Sequence, residues 1–157
     1  MYDYARLESV TQYLLWLPHP NPEYTRQYLS YAEKLYRNGE FYDWAIVDRA
    51  SGKMIGTCGF PLISELNRSA EVGYVLHPDF WGKGYATEVL ELLLSFAFID
   101  LHLHRVEARC FESHAASRRV MEKCRMRYEG SLRDALLVNG KYETIAVYGA
   151  VAEEFIP

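Results

Sequence analysis

Ala70-Glu71-Val72-Gly73-Tyr74-Val75-Leu76-His77-Pro78-Asp79-Phe80-Trp81-Gly82-Lys83-Gly84-Tyr85-Ala86-Thr87 is the stretch on which the fold turns. It begins as an alternation, with Ala70, Val72, Tyr74 and Leu76 on one side and Glu71, Gly73 and Val75 on the other, as in a strand. Past the loop, Ala86, Val89, Leu90, Leu93 and Ala97 recur at helical spacing, with Glu88 and Glu91 on the other side. Strand, glycine-bearing loop and long amphipathic helix thus follow one another directly. Gly82 and Gly84 let the backbone turn so that N–H groups converge, and the helix start adds unpaired N–H groups and the positive end of its dipole. Such a loop can seat a phosphate or pyrophosphate. Lys83 either adds a charge to that seat or is simply solvated, and Ala86 leaves the first helical turn unobstructed. Gly-x-Gly by itself is more often a tight turn than an anion site, so its surroundings must decide. The loop has neither the Gly-x-x-x-x-Gly-Lys-[Ser/Thr] of a nucleoside triphosphatase nor the Gly-x-Gly-x-x-Gly of a dinucleotide-binding unit, which disfavours both classes.

Upstream, Leu7, Val10, Leu14 and Leu15 predict an opening helix that Pro18 and Pro20 interrupt. Asn21-Pro22 reads as a helix start, with Asn as cap, Leu29, Ala32, Leu35 and Tyr36 as one face, and Asn38-Gly39 as its end. Tyr42 to Val47 and Met54 to Phe60 form a hairpin turned at Asp48 to Lys53. Downstream, Arg105 to Cys110 alternates as a strand, and Ala115 to Cys124 repeats at helical spacing. Strands then lie near Tyr128 to Leu132, Ala135 to Val138 and Thr144 to Val151, the last two joined at Asn139-Gly140. The predicted order α α β β β α β α β β β is that of an α+β or mixed α/β domain.

With 157 residues, half of them hydrophobic, the chain is expected to be one domain with one core. A net charge of −4 and a pI near 5.7 give no footprint for nucleic acid. Cys58, Cys110 and Cys124 are odd in number and lack metal-ligand spacing, so neither a disulfide framework nor a metal site is expected, and the cytoplasm fits best. The longest apolar stretch, Val89 to Ile99, is interrupted by Glu91, and no membrane span is expected.

Several motifs in one order resolve what the loop alone leaves open. Ile55-Gly56-Thr57-Cys58-Gly59-Phe60, Ala70 to Pro78, Phe80 to Glu88, His104 to Arg109, Ala116 to Lys123, Tyr128-Glu129-Gly130 and Leu132-Arg133 together resemble the GNAT superfamily of acetyltransferases. Within it they are similar to the ribosomal-protein N-terminal acetyltransferases RimJ and RimL. The resemblance runs from about Tyr42 to the C-terminus. It implies a central twisted mixed sheet flanked by helices, with acetyl-CoA as co-substrate and no metal. It divides the domain 1–157 into an acceptor-side helical region at 1–40, a cofactor-binding core at 41–112 and a C-terminal helix with strands at 113–157. Leu76, Trp81, Gly82, Lys83, Gly84, Tyr85, Ala86, Thr87, His114 and Ser117 are the cofactor-binding residues it implies, the backbone N–H at Leu76 facing the acetyl carbonyl.

Three positions depart from the family pattern. The superfamily's usual first strand has no counterpart, so an uncovered sheet edge, or a partner chain over it, is expected. His114 replaces the family's Asn, and Arg125-Met126 replaces Gly-Phe, so a differently built turn is expected there.

Acetyl transfer to an amine needs a neutral nucleophile, a stabilised oxyanion and a proton for the leaving thiolate. Glu71 is the candidate base, against the alternative of a salt-bridged strand carboxylate. The family's proton-donating Tyr falls on Met121, which cannot donate. Ser117 matches a serine that RimL-like members place near the sulfur, against the alternative of a helix cap. His114 ranks below it, and Tyr74 and Tyr148 are read as packing. The expected activity is N-acetylation of a protein N-terminus or small-molecule amine by direct attack in a ternary complex. The alternatives are an acyl-CoA-binding module with little turnover and a homodimeric scaffold paired through the open edge. The acceptor pocket is expected from the first two helices and the loops Pro61 to Arg68 and Leu136 to Tyr142.

Overall fold

A computed structural model describes residues 1–39 and 42–155, so the expected boundary between 40 and 41 lies outside the described residues. Two one-turn helices, α1 (Tyr2–Ala5) and α2 (Glu8–Thr11), precede the long α3 (Pro22–Arg37). The strands β1 (Asp43–Val47), β2 (Met54–Ser64) and β3 (Ser69–Leu76) lead into α4 (Tyr85–Ser95), which continues as a π-helical turn over Phe96–Asp100. β4 (Arg105–Phe111), α5 (Ala115–Lys123), β5 (Arg127–Val138) and β6 (Lys141–Val151) follow, with a 3-10 turn over Ala152–Glu154 after them.

The strands form one six-stranded sheet in the order β1-β2-β3-β4-β6-β5. Every neighbouring pair is antiparallel except β3 and β4. Among the described residues β1 pairs with β2 only and stands at one end of the sheet.

Strand alternation sends the two faces to different partners. Ala70, Val72, Leu76, Val106, Ala108 and Ala146 meet Val89, Leu90, Leu93 and Leu94 of α4 and Met121 of α5 in the main core. Burying a large apolar side chain such as Leu90 contributes about 1.5–3 kcal/mol, which makes this layer the principal source of stability. On the opposite face Tyr4, Ala5 and Val10 form a smaller cluster with Leu7, Leu14, Trp16, Met54 and Val75.

Three local expectations change. The opening helix is two short ones, because Leu7 is extended (φ −88°, ψ 123°) and the carbonyl of Ala5 accepts from His19 N–H at 2.9 Å. On α3 the buried residues are Thr25 and Ala32, while Leu29 is 44% exposed, since Thr25 turns inward to bond His19 Nδ1 at 2.8 Å. The two strands expected at 128–132 and 135–138 are one. β5 bulges between Leu132 and Leu136, where Asp134 adopts φ +49°, and pairs with β6 on both sides of the bulge.

The turn after α5 also corrects its expectation. Met126 N–H bonds the carbonyl of Met121 at 3.0 Å, and Arg125 N–H bonds that of Glu122 at 3.0 Å. Arg125 takes the left-handed conformation (φ +61°), and the buried Met126 and Met121 both join the main core. This is the Schellman ending that glycine usually provides, with arginine in its place. The turn is built in the usual way, on a residue ill-suited to it.

Candidate active site

The loop between β3 and α4 is fixed from several sides. Pro78–Phe80 form a 3-10 turn whose first N–H groups are met by His77, with Asp79 N–H bonding His77 Nδ1 at 3.1 Å. Trp81 Nε1 donates to the carbonyl of Leu76 at 2.8 Å, tying the loop to the end of β3. Tyr85 donates its hydroxyl to Asp48 Oδ1 at 3.1 Å. Asp48 is buried in the β1–β2 turn, where hydrogen bonds from Ser51 hold its carboxyl below the usual range. The sequence marks Asp48 only as a turn residue, so this brace escapes a reading by motif.

Gly82 (φ +70°) and Gly84 (φ +92°) occupy conformations that L side chains rarely adopt, and a Cβ at either would meet nothing within 4 Å. The glycines therefore shape the backbone beneath open space. No side chain caps Gly84, and among the described residues none of the backbone N–H groups from Gly82 to Thr87 donates a hydrogen bond. A run of unpaired N–H groups at the positive end of an eleven-residue helix is the arrangement a pyrophosphate requires. Lys83 Nζ lies 5.7 Å from the ring centroid of Phe80.

Beside the loop the sheet opens. Parallel pairing of β3 with β4 covers Ser69–Val72 against Arg105–Ala108, and Gly73 to Leu76 run on unpaired with β4. His77 N–H bonds the carbonyl of Ile55 at 2.7 Å across β2. By antiparallel alternation the N–H of Leu76 points the other way, into the gap.

α5 carries Ser117 to the same gap. Its Oγ lies 3.0 Å from the hydroxyl of Tyr74, which stands on the core-facing side of β3. Cys110, on the end of β4 beyond the paired stretch, also faces Ser117, and burial pushes its thiol up to about 11. Burial raises the Tyr74 hydroxyl as well, so it stays protonated at neutral pH. The sequence treats Tyr74 as packing. It does pack, and its hydroxyl also reaches the candidate serine, a contact over 43 positions that alternation cannot reveal. Met121, at the family's tyrosine position, is fully buried, whereas the hydroxyl of Tyr148 bonds Glu122 at 3.1 Å and accepts from Arg118 at 3.2 Å. His114 precedes α5 without capping it and stacks on Tyr13 with ring centroids 4.0 Å apart. Burial lowers its pKa, which favours the neutral imidazole.

Glu71 lies on the other face of β3, separated from Ser117 by the strand itself. Its carboxyl is raised by burial, opposed by Arg109, whose Nε is 3.6 Å away. Arg109 is held more tightly by Glu107, at 2.6 Å. Farther along β1 sits Asp43, whose carboxyl burial lifts to about 6. On this side a cleft of about 310 Å³ opens between Leu14 to Leu17 and Leu136 to Asn139. The Pro61 to Arg68 segment does not line it. Among the described residues no group of His, Cys, Asp or Glu could hold a metal ion, and no helix is long and apolar enough to cross a membrane.

Comparison with known proteins places these features. Residues 1–127 match the acetyltransferase (GNAT) domain family. The chain is 29% identical over 147 residues to the uncharacterized N-acetyltransferase p20 of Bacillus licheniformis, covering 94% of this chain and 83% of that one. It is 27% identical over 101 residues to the ribosomal-protein-serine acetyltransferase of Escherichia coli, covering 64% of this chain and 56% of that one. The fold matches the spermidine N-acetyltransferase of Vibrio cholerae, solved with CoA and spermine, at a TM-score of 0.83 and 20% identity, over 98% of this chain and 88% of that one. With the family match over most of its length, this chain belongs to the GNAT family of acetyltransferases and uses acetyl-CoA.

Proposed function

We propose that this enzyme acetylates a primary amine, on a protein N-terminus or a small molecule, by direct attack within a ternary complex. The division of labour across β3 carries the reading: Ser117 lies against one face, Glu71 on the other, and the strand parts from β4 between them. Acetyl-CoA is held with its pyrophosphate on the N–H groups of Gly82 to Thr87, and its thioester enters the gap from the α5 side. The acceptor comes from the side of α1 to α3, through the cleft at Leu14 to Leu17 and Leu136 to Asn139.

Glu71 accepts the ammonium proton, directly or through water, and burial brings its carboxyl nearer to the pKa such a base needs. The freed nitrogen attacks the carbonyl carbon, forming the C–N bond, while the π pair moves to oxygen and is met by Leu76 N–H. When that pair returns, the C–S bond breaks and its electrons leave on sulfur, where Ser117 donates a hydrogen bond without ionising. Glu71 gives the ammonium proton to solvent and then takes the second N–H proton from the adduct, so that a neutral amide leaves, while the thiolate regains one proton from solvent.

A panel of N-terminal peptides, polyamines and aminoglycosides, assayed for free thiol released from acetyl-CoA, tests this reading. Turnover with at least one acceptor is expected. Ser117→Ala should lower kcat by about 10- to 100-fold. Because the pKa of Glu71 is raised, activity should fall as pH drops through that raised value, and Glu71→Gln should lose this acid limb along with most of the rate. Coenzyme A binding without thiol release from any acceptor would favour the binding-module alternative.

A further inference from the structure

We infer that Tyr74 is a positioning residue for Ser117: its hydroxyl donates to Ser117 Oγ and so directs the serine's own proton toward the sulfur of coenzyme A. The inference rests on the assignment of Ser117 to the leaving group. The two oxygens are 3.0 Å apart, whereas the Tyr74 hydroxyl is 3.4 Å from the carbonyl of Ser117. The closer acceptor is therefore Oγ. A serine hydroxyl has one proton and two lone pairs, so accepting from Tyr74 leaves its proton free for a third atom.

Tyr74 is well suited to donate and poorly suited to act as an acid. Its ring stands among the core residues between β3 and α5. Burial raises its pKa, keeping the proton on oxygen across the working pH range. The groups facing the Ser117 hydroxyl are thus a neutral phenol and, from β4, a neutral Cys110 thiol. Neither carries a charge that would compete with the leaving sulfur for the serine's proton. The position that supplies a tyrosine acid elsewhere in the superfamily is the buried Met121 here, so the phenol comes from the sheet and acts through the serine.

The thiol of bound coenzyme A reports this arrangement without any acceptor. Coenzyme A labelled with carbon-13 at the thiol-bearing carbon would be titrated by NMR while bound to wild type, Ser117→Ala, Tyr74→Phe and the double variant. In wild type the bound thiol should ionise at lower pH than in Ser117→Ala. Tyr74→Phe should weaken the thiol's acid dissociation constant by about threefold, half a pH unit, and the double variant should match Ser117→Ala alone. A wild-type titration in Tyr74→Phe, with a shift in Ser117→Ala, would overturn the role of Tyr74 and leave Ser117 standing. No shift in Ser117→Ala would overturn the serine's assignment itself. A Tyr74→Phe shift that persists in the Ser117→Ala background would mean that the phenol meets the sulfur directly. Fluorinated tyrosine at position 74 is a second variant that keeps the fold. Its stronger donor should move the thiol in the opposite direction, and no movement would count against the inference.

Discussion

The two long helices begin in opposite ways. At α3, Asn21 Oδ1 accepts from Tyr24 N–H at 2.9 Å, and Pro22 has no N–H to satisfy. At α4, Gly84 offers no cap, and the loop leading to it adds further unpaired N–H groups beneath open space. Both starts are legible in sequence as a turn followed by helical spacing. What separates them is where the orphan donors go: one helix caps a donor from within, and the other leaves its donors unpaired beneath open space.

The sharpest way to break that contrast is to fill the open end. Gly84→Val places a β-branched side chain at φ +92° and above the unpaired donors, and should weaken CoA binding by at least about 100-fold. Isothermal titration would show it, and unchanged affinity would remove the pyrophosphate seat from this loop. The complementary change at the closed end is milder. Asn21→Ala should lower unfolding stability by about 1 kcal/mol with CoA affinity unaltered; a loss of affinity would mean that α3 also shapes the cofactor site. The smallest expected effect is at the other end of a helix. Arg125→Gly relieves a left-handed arginine in a Schellman turn and should raise stability by about 0.5–1 kcal/mol in thermal or denaturant unfolding.

How far the sequence could be read follows from the range of the interactions involved. The strand, loop and helix from Ala70 to Ala97 are specified by neighbours a few residues apart, and the structure keeps them almost unchanged. Helical spacing predicts one opening helix, whereas His19 N–H bonds the carbonyl of Ala5 from fourteen positions away and ends α1 there. The break in alternation near Asp134 predicts two strands, whereas β5 resumes its pairing with β6 at Leu136. The candidate site splits in the same way. Gly82, Gly84 and Ser117 carry motif signals, whereas the links Asp48 to Tyr85 and Tyr74 to Ser117 span 37 and 43 positions and exist only once the sheet has formed. The turn at Arg125 shows the converse, a familiar backbone hidden behind an unfamiliar residue.

The short parallel pairing between β3 and β4 has a mechanical consequence. β1 to β3 and β4 to β6 are two antiparallel ribbons welded along four residue pairs, with a wedge-shaped mouth beyond the weld. Anything that fills the mouth bridges the ribbons, so cofactor binding should stiffen the sheet across the weld as well as locally at the loop. On the proposed seating of the thioester, the molecule's rigidity would be partly on loan from its substrate, greatest with acetyl-CoA bound and reduced when coenzyme A departs.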